Sequence, residues 1–220
     1  MGTQKVKEGK PEKAAEKPKE EKKEPSSKVK ERAVKKWKGK DWFTVKAPAM
    51  FNGKELGEIP ATSSQSLPGR TLEVSLADLV NNPSKYHIIV KFRIYSVKDS
   101  EALTRFDGLN LVKSQIFRVV RKRTSKVEVV GDVETKDNWK LHYKIFAVLN
   151  KVSDQEIQRK VRKKVIGFVK DFASKSSVDD FVKTACDGLI QKNIKKFSSN
   201  IYPIRHCEIV KVEVKKPGKA

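Results

Sequence analysis

The chain has 220 residues, of which 49 are Lys or Arg and 27 are Asp or Glu, so its formal net charge is +22 at pH 7. Such an excess draws a soluble chain to polyanions, which favours nucleic acid or an anionic membrane as the partner and weighs against an ordinary metabolic enzyme. A hydrophobic content of 37%, with ten Phe, four Tyr and three Trp, is too high for a wholly disordered chain. At least one packed domain is therefore expected.

Membrane, secreted and zinc-binding classes are also disfavoured. The longest apolar run in the second half covers residues 145–149, far short of the ~20 residues that cross a bilayer, so no transmembrane helix is expected. The N-terminal segment lacks the apolar stretch of a secretory signal. Cys186 and Cys207 fall outside the spacings of zinc sites. We expect both cysteines to be small buried residues of the core, and the protein to be in a reducing cytoplasm.

Residues 1–35 differ in composition from the rest of the chain. They contain twelve Lys or Arg and seven Glu, no aromatic residue, and prolines at positions 11, 18 and 25. Proline interrupts the helix that Lys, Glu and Ala favour, so a disordered basic arm is predicted over 1–35. The arm carries a net charge of +5, which leaves +17 on residues 36–220, predicted to form a single domain.

Alternation of apolar and polar residues, typical of half-buried strands, recurs from residue 42 onward. Strands are predicted at 42–45, 70–76, 87–97, 102–106, 127–135, 139–148 and 206–214. Composition predicts a loop at 59–69, and Gly131 lies inside a strand, where glycine often marks a bulge. Antiparallel strands of this length with one polar face suggest a curled sheet or barrel.

After residue 150 the hydrophobic period becomes that of helices. Ser153 and Glu156 have the spacing of a capping box before an apolar stripe, and Ser177 with Asp180 marks a second helix start. Two later stripes consist of Phe181, Val182, Ala185 and Leu189, and of Ile190, Ile194 and Phe197. The predicted fold class is α+β, an antiparallel β-barrel-like core with C-terminal helices packed on it, preceded by the disordered basic arm.

Residues suited to catalysis are scarce. The histidines His87, His142 and His206 all lie in predicted strands, without a partner at metal-ligand spacing. Each Gly-Lys pair lacks the earlier glycine of the P-loop, which excludes nucleotide hydrolysis through that motif. Asp132 and Glu134 share a strand face as in a metal-dependent nuclease, although such carboxylates are more often solvated. No catalytic residue, metal or cofactor is expected.

Three clusters of cations are the strongest functional signal in the sequence. Residues 35–40 surround Trp37 with lysines, so Trp37 either stacks on a base or packs on the domain. Residues 118–126 follow a short helix predicted at 111–120 and suit phosphate binding, since Arg forms a bidentate fork. The cluster at 159–164 covers a helix face that can also be merely solvated or lie on a membrane. The predicted RNA-binding residues are Lys36, Trp37, Lys38, Lys40, Arg118, Arg121, Lys122, Arg123, Lys126, Arg159, Lys160, Arg162, Lys163 and Lys164.

Several strings in the chain resemble a known family. Residues 40–52 (KDWFTVKAPAMFN) and 69–79 (GRTLEVSLADL) closely resemble the start of the archaeal and eukaryotic small-subunit ribosomal protein family called S-three-a, or e-S-one. Similar family strings correspond to TRFDG at 104–108, VRKRTS at 120–125 and IYP at 201–203. The resemblance extends from about residue 36 to 217. Because the chain lacks the long C-terminal extension of eukaryotic members, it resembles the archaeal ones.

This resemblance implies a structural component of the small ribosomal subunit, located on the platform near the messenger exit, with a β-barrel-like core. The implied partners are small-subunit rRNA, neighbouring small-subunit proteins and mRNA near the exit, without a membrane or a small-molecule substrate. Two other hypotheses stay open on the sequence. One is a free RNA- or DNA-binding factor such as an RNA chaperone, and the other is a metal-dependent nuclease that uses Asp132 and Glu134.

Overall fold

The computed structural model describes residues 39–218, and the chain from Lys40 onward forms one compact unit. The strands in this range are β1 (Asp41–Lys46), β2 (Glu55–Ala61), β3 (Thr71–Ser75), β4 (Ile88–Lys98), β5 (Glu101–Leu111), β6 (Lys126–Glu134), β7 (Lys140–Leu149) and β8 (Ile204–Lys216). The α-helices are α1 (Leu76–Val80), α2 (Lys113–Val119), α3 (Gln155–Lys175), α4 (Val178–Asp187) and α5 (Leu189–Ser198). The predicted arm at 1–35 and the domain boundary at residue 36 lie outside the described residues.

The strands form one mixed sheet in which β5 has the largest number of partners. Along one edge β5 pairs with β4, which in turn pairs with β3. Along its other edge β5 pairs first with β1, in parallel, and then with β8, antiparallel. β2 continues the sheet beyond β1, and β7 and β6 continue it beyond β8. The predicted α+β class is confirmed, with the corrections that one strand pair is parallel and that the barrel-like sheet is not closed.

β8 approaches β5 closely at Gly108. This glycine lies opposite Lys91 of β4 and Glu213 of β8. A Cβ atom at this position would lie 2.6 Å from the backbone oxygen of Val212. Because a backbone oxygen cannot rotate away as a flexible side chain does, only glycine lets the two strands pair at this distance.

The buried apolar residues form two cores. The larger core consists of apolar side chains from the sheet and the C-terminal helices. α3 contributes four fully buried residues to it, Val161, Val165, Val169 and Ala173. The smaller core belongs to the barrel-like half and consists of Phe43, Val45, Ala61, Leu67, Ile94 and Ala102. Since Leu67 comes from the segment between β2 and β3, that loop closes one side of the smaller core.

The predicted helix starts differ in how well they agree with the structure. The Ser177 prediction is confirmed, because its hydroxyl accepts a hydrogen bond from the amide of Asp180 and caps α4. The Ser153 capping box is wrong, because α3 begins one residue later with Asp154 as an N-cap that makes no side-chain hydrogen bond. The amide of Ser153 instead donates to the hydroxyl of Ser125, 3.1 Å away. Tertiary contacts outweigh the local capping pattern here.

Two of the predicted apolar stripes end earlier than the sequence indicates. Leu189 is 47% exposed and Phe197 is 49% exposed, whereas Ile190 and Ile194 are buried. α5 is a separate helix that begins after Gly188, which has a left-handed backbone conformation with φ of 78°. This change of direction carries Leu189 away from the core.

Two local predictions in the sheet are corrected as well. Gly131 is not a bulge, because β6 and β7 pair in regular register on both sides of it. Its missing side chain instead makes room for Tyr143, whose hydroxyl oxygen would lie 2.8 Å from a Cβ atom. The predicted loop at 59–69 begins too early, since β2 continues to Ala61. Pro60 fits that strand because β2 lies at the edge of the sheet.

Replacing Gly108 by Ala tests whether the close approach of β8 holds the sheet together. We expect Gly108→Ala to lower the free energy of unfolding by about 2 kcal/mol or more, because strand backbones must separate. Gly167→Ala is the matched control, since Gly167 lies in α3 with open space around its Cα atom. It should gain about 0.5–1 kcal/mol from the higher helix propensity of alanine. Urea unfolding measures both, and equal stability of Gly108→Ala and the unmodified chain would contradict the account.

Candidate nucleic-acid interface

α2 and the loop that follows it carry the second predicted cluster of cations. The inner side of α2 packs on the larger core through Ile116 and Val119. Its outer side is exposed and carries Lys113, Phe117 and Arg118. The helix thus lies on the core as a short amphipathic segment whose outer face is cationic and aromatic.

The loop at 120–125 is held in a defined shape by backbone contacts. Arg123 has a left-handed backbone conformation with φ of 63°, and the hydroxyl of Thr124 donates to the carbonyl oxygen of Arg121. The carbonyl oxygen of Ser125 accepts from the amide of Leu149, 2.8 Å away, which fixes the loop to the end of β7. The side chains of Arg121, Lys122 and Arg123 are exposed on this fixed backbone. The loop therefore presents its cations from a preorganised position.

Cations from a distant part of the sequence lie beside this loop. The ammonium of Lys195 in α5 donates to the carbonyl oxygen of Arg205 at the start of β8, 3.1 Å away. The pKa of His206 is lowered by burial and then by the positive charges of Arg205, Lys195 and Arg121. The strand register places Lys126, which follows the loop, opposite Val148 of β7, and Val148 opposite His206 of β8, so the loop, α5 and β8 meet at one end of the sheet. We call this surface the sheet-end patch. It comprises Arg118, Arg121, Lys122, Arg123, Lys195, Arg205 and His206.

A depression of about 250 Å³ lies within the sheet-end patch. Lys192, Lys195, Arg205 and His206 line it together with Glu208. Burial raises the pKa of the Glu208 carboxyl. The depression thus combines cations with a carboxylic acid that is more easily protonated than usual.

The lysines of α5 and Arg205 were not among the predicted site residues. Lys195 and Lys196 follow an apolar stripe and Arg205 precedes a strand, and each alone is typical of a solvated position. The antiparallel pairing of β8 with β7 brings His206 opposite Val148 and so carries Arg205 to the end of β7. Strand register reveals the place of Arg205 near the loop, and the hydrogen bond from Lys195 to Arg205 reveals that of α5.

The third predicted cluster, on α3, is largely engaged within the protein. Arg162 donates through Nε to the carbonyl oxygen of Glu128 at 3.0 Å, and Lys160 forms an ion pair with Glu156 at 2.7 Å. Lys164 lies over the ring of Phe197, 4.6 Å from its centroid. Within the described residues, only Arg159 and Lys163 of this cluster have no such partner. These contacts anchor α3 to β6 and α5.

Lys126, at the end of the second cluster, also has partners in the sheet. It forms an ion pair with Glu128 at 2.7 Å and lies over the ring of Phe146, 5.6 Å from its centroid. Lys144 pairs with the other oxygen of Glu128 at 2.9 Å. The hydrogen bonds from Lys126 and Lys144 lower the pKa of Glu128 to about 2. This face of the sheet is therefore a local ion-pair network.

Most of the first predicted cluster cannot be placed. Lys36, Trp37 and Lys38 lie outside the described residues. Lys40 is exposed directly before β1, two residues from Trp42, which is 64% exposed. RNA binding by this cluster therefore stays a prediction, and of its predicted RNA-binding residues the structure gives the position of Lys40 alone.

The two carboxylates of the nuclease hypothesis are occupied by cations. Asp132 lies 2.5 Å from Nδ1 of His142 and 2.8 Å from the ammonium of Lys215, and the pKa of its carboxyl is lowered by these partners, Lys215 first. Glu134 pairs with Lys140 at 2.6 Å. Among residues 39–218, no group of three or more His, Cys, Asp or Glu is arranged to hold a metal ion. A metal at Asp132 would have to displace two partners.

The other groups considered for chemistry lie in the core or at its margin. Cys186 and Cys207 are buried and unpaired, and burial raises the pKa of each thiol to about 12. Burial also lowers the pKa of His87. None of the helices in the described range has the length and apolar character needed to span a membrane.

The fold and the cationic surface define a basic α+β protein, and comparison with known families identifies its class. Residues 28–217 match the Ribosomal S3Ae family. The chain therefore belongs to this family of ribosomal proteins, as the strings at 40–52 and 69–79 predict. The match begins at residue 28, earlier than the expected residue 36.

Individual relatives give the same result. The chain is similar to the small ribosomal subunit protein eS1 of Methanopyrus kandleri, with 36% identity over 81% of this chain and 87% of the relative. It is also 36% identical to the eS1 protein of Pyrobaculum islandicum, over 82% of this chain and 81% of the relative. The eS1 protein of Desulfurococcus amylolyticus is 31% identical, over 81% of this chain and 84% of the relative. All three organisms are archaea, which confirms the predicted archaeal character of the chain.

A titration of His206 tests the geometry of the sheet-end patch. Arg121→Gln removes one of the charges that lower the His206 pKa, so this pKa should rise toward its ordinary range. Lys122→Gln removes the same charge from the next residue and should produce a smaller change. Histidine NMR signals as a function of pH measure both, with His206→Gln to assign the signal. Equal shifts in the two variants, or none in Arg121→Gln, would contradict the proximity of Arg121 and His206.

The ion-pair network around Glu128 should appear in the pH dependence of stability. Because its pKa is lowered to about 2, the carboxylate stabilises the fold above its ordinary pKa, and this contribution is lost as the pH falls from about 4.5 to 2. Glu128 is 41% exposed, so solvent screening limits the effect of Glu128→Gln to about 1 kcal/mol at pH 7. The deficit should vanish near pH 2.

Urea unfolding at several pH values measures this effect. Glu58→Gln is the control, since it removes an exposed carboxylate of β2 for which no ion pair is found among residues 39–218. A deficit of Glu128→Gln that stays constant down to pH 2 would show that the ion pairs are not its cause.

Proposed function

We propose that the chain is a structural constituent of the small ribosomal subunit that binds and stabilises small-subunit rRNA through the sheet-end patch and so supports translation. The observation that carries the proposal is that strand register and backbone hydrogen bonds bring Arg121, Lys195 and Arg205 to one end of the sheet, in a member of a ribosomal protein family. Relatives named as small ribosomal subunit proteins support the same assignment.

The patch has the chemistry that rRNA phosphates require. Arginine presents a planar fork that binds a phosphate through two hydrogen bonds, and Arg118, Arg121 and Arg123 have no side-chain partner among the described residues to occupy it. Arg118 lies on helix α2, and Arg121 and Arg123 lie on a loop that is fixed by its hydrogen bonds, so little backbone conformational entropy is lost on binding. The mutual repulsion of the patch cations is relieved when a polyanion binds.

The proposal extends to the setting of this interface. We place the protein on the platform near the messenger exit, in contact with neighbouring small-subunit proteins and near mRNA, as part of a cytoplasmic ribosome. Support for these parts comes from the family resemblance and not from the contacts of the chain. A free RNA chaperone would use the same patch, and family membership favours the ribosomal assignment over it. The ion pairs of Asp132 and Glu134 likewise give no support to a nuclease or to another enzyme.

Salt dependence of rRNA binding tests the role of the patch. Each phosphate contact contributes about 0.9 to the slope of log affinity against log salt, so the triple variant Arg118→Gln, Arg121→Gln, Arg123→Gln should lower the slope by about 2–3. Its affinity for protein-free small-subunit rRNA should fall roughly 10- to 100-fold at physiological salt.

A second triple variant controls for the loss of net charge alone. Lys98→Gln, Lys136→Gln, Lys183→Gln removes three exposed cations that are not part of the patch. Its slope and affinity should stay near those of the unmodified chain, as measured by filter binding over a range of KCl concentrations. Equal losses in the two triple variants would mean that net charge, and not the sheet-end patch, determines binding.

A further inference from the structure

Phe117 is the most exposed large apolar side chain found in residues 39–218, at 77%. It lies on the outer face of α2, one turn after Lys113 and directly before Arg118. Both of these cations are exposed as well. The helix therefore presents a single aromatic ring between two positive charges, next to the sheet-end patch.

The packing of α2 on the core does not explain why position 117 holds an aromatic residue. α2 is attached to the core by Ile116 and Val119, so Phe117 adds nothing to that attachment. The ring of Phe197, which is 49% exposed, differs from that of Phe117 because the ammonium of Lys164 lies over it. Among the described residues, neither a ring nor a cation packs on Phe117. Its face is open to a partner, although exposing it to water costs free energy.

We infer that Phe117 is a stacking platform for an unpaired nucleotide, with the flanking phosphates bound by Arg118 and Arg121. This inference rests on the proposed function and names the RNA class that the sheet-end patch accepts, namely single-stranded or bulged RNA. Bases of a duplex are stacked on each other and cannot offer a face to a side chain, whereas unpaired bases stack readily on aromatic rings. Helix α2 and its fixed loop hold ring and cations on one rigid support.

The surroundings of Phe117 favour RNA over a protein as the group that covers it. Apolar protein interfaces have a core of several apolar side chains from which charged residues are depleted. Around Phe117 the exposed residues of α2 are Lys113, Ser114 and Arg118, which are polar or cationic. An isolated ring among cations is instead the combination found where proteins bind single-stranded nucleic acid.

Binding of three short RNAs to the full chain tests the inference by fluorescence anisotropy. The probes are a labelled single-stranded 12-mer of mixed sequence, the same 12-mer annealed to its complement, and an abasic ribose-phosphate 12-mer. Phe117→Ala should bind the single strand roughly 5- to 100-fold more weakly, and Phe117→Tyr should retain affinity. Phe117→Ala should bind the duplex and the abasic probe unchanged, and its salt slope should not differ from that of the unmodified chain. Tyr95→Ala, which removes another exposed ring that lies on β4, is the matched control and should have no effect.

Three results would overturn the inference. The first is that Phe117→Ala binds the single strand as tightly as the unmodified chain does. The second is that Phe117→Ala loses equal affinity for all three probes, because an equal loss indicates a structural role for Phe117. If it binds every probe normally but fails to join the small subunit, Phe117 contacts a protein instead. Arg121→Gln separates this inference from the proposed function, because it should weaken binding to all three probes even if Phe117 proves unimportant. Failure of the unmodified chain to bind any RNA would instead refute the proposed function.

Discussion

The close contact of β8 with β5 at Gly108 is the constraint on which the rest of the fold depends. β8 pairs with β7 along most of its length, but with β5 only at Gly108, Leu109 and Asn110. This short contact joins the barrel-like half of the sheet to the half that carries the helices. The pairing of β8 with β7 places Arg205 and His206 at the end of β7, and the contact at Gly108 links these two strands to the rest of the sheet. The position of the cationic surface thus follows from the packing of two backbones.

The sheet-end patch combines segments that are far apart in the chain. The loop after α2 is attached to β7 through Ser125, and the start of β8 is attached to the same end of β7 through a hydrogen bond from the amide of Asn150 to Pro203. These backbone contacts hold Arg121 and Arg205 near each other although like charges repel. Burial is the largest cause of the lowered pKa of His206, and the positive charges of Arg205, Lys195 and Arg121 lower it further. A surface that is electrostatically unfavourable in the isolated protein becomes favourable when a polyanion neutralises it, which is typical of a binding site.

The sequence predicts most strands and the character of the surface, because both depend on local patterns. Period-two alternation locates β4 and β7, and the dense cations at 118–126 mark the loop that heads the patch. Local sequence patterns are less informative where tertiary contacts determine the conformation of a residue. Ser153 fails as a cap because Ser125 binds its amide, and Gly131 relieves crowding by Tyr143 in place of forming a bulge. Each of these outcomes depends on a partner at least a dozen residues away.

The same limit explains the changes to the candidate site. The pattern on α3 shows a cationic face but not that Arg162 binds the backbone of β6 or that Lys164 covers Phe197. Conversely, Arg205 joins the candidate site through strand register and Lys195 through its hydrogen bond to Arg205, and no local pattern reveals either. The cationic composition of this surface is therefore readable from the sequence, whereas the division between cations that make contacts within the protein and cations that do not requires the fold.

Sedimentation of an extract from cells that produce the tagged full chain tests most directly whether this chain is an rRNA-bound component of the small ribosomal subunit. We expect the chain to sediment with the small subunit, in an amount equal to that of other small-subunit proteins, and to move to the top of the gradient after the rRNA is digested. A chain that stays at the top of the gradient in the undigested extract is not a component of the small subunit.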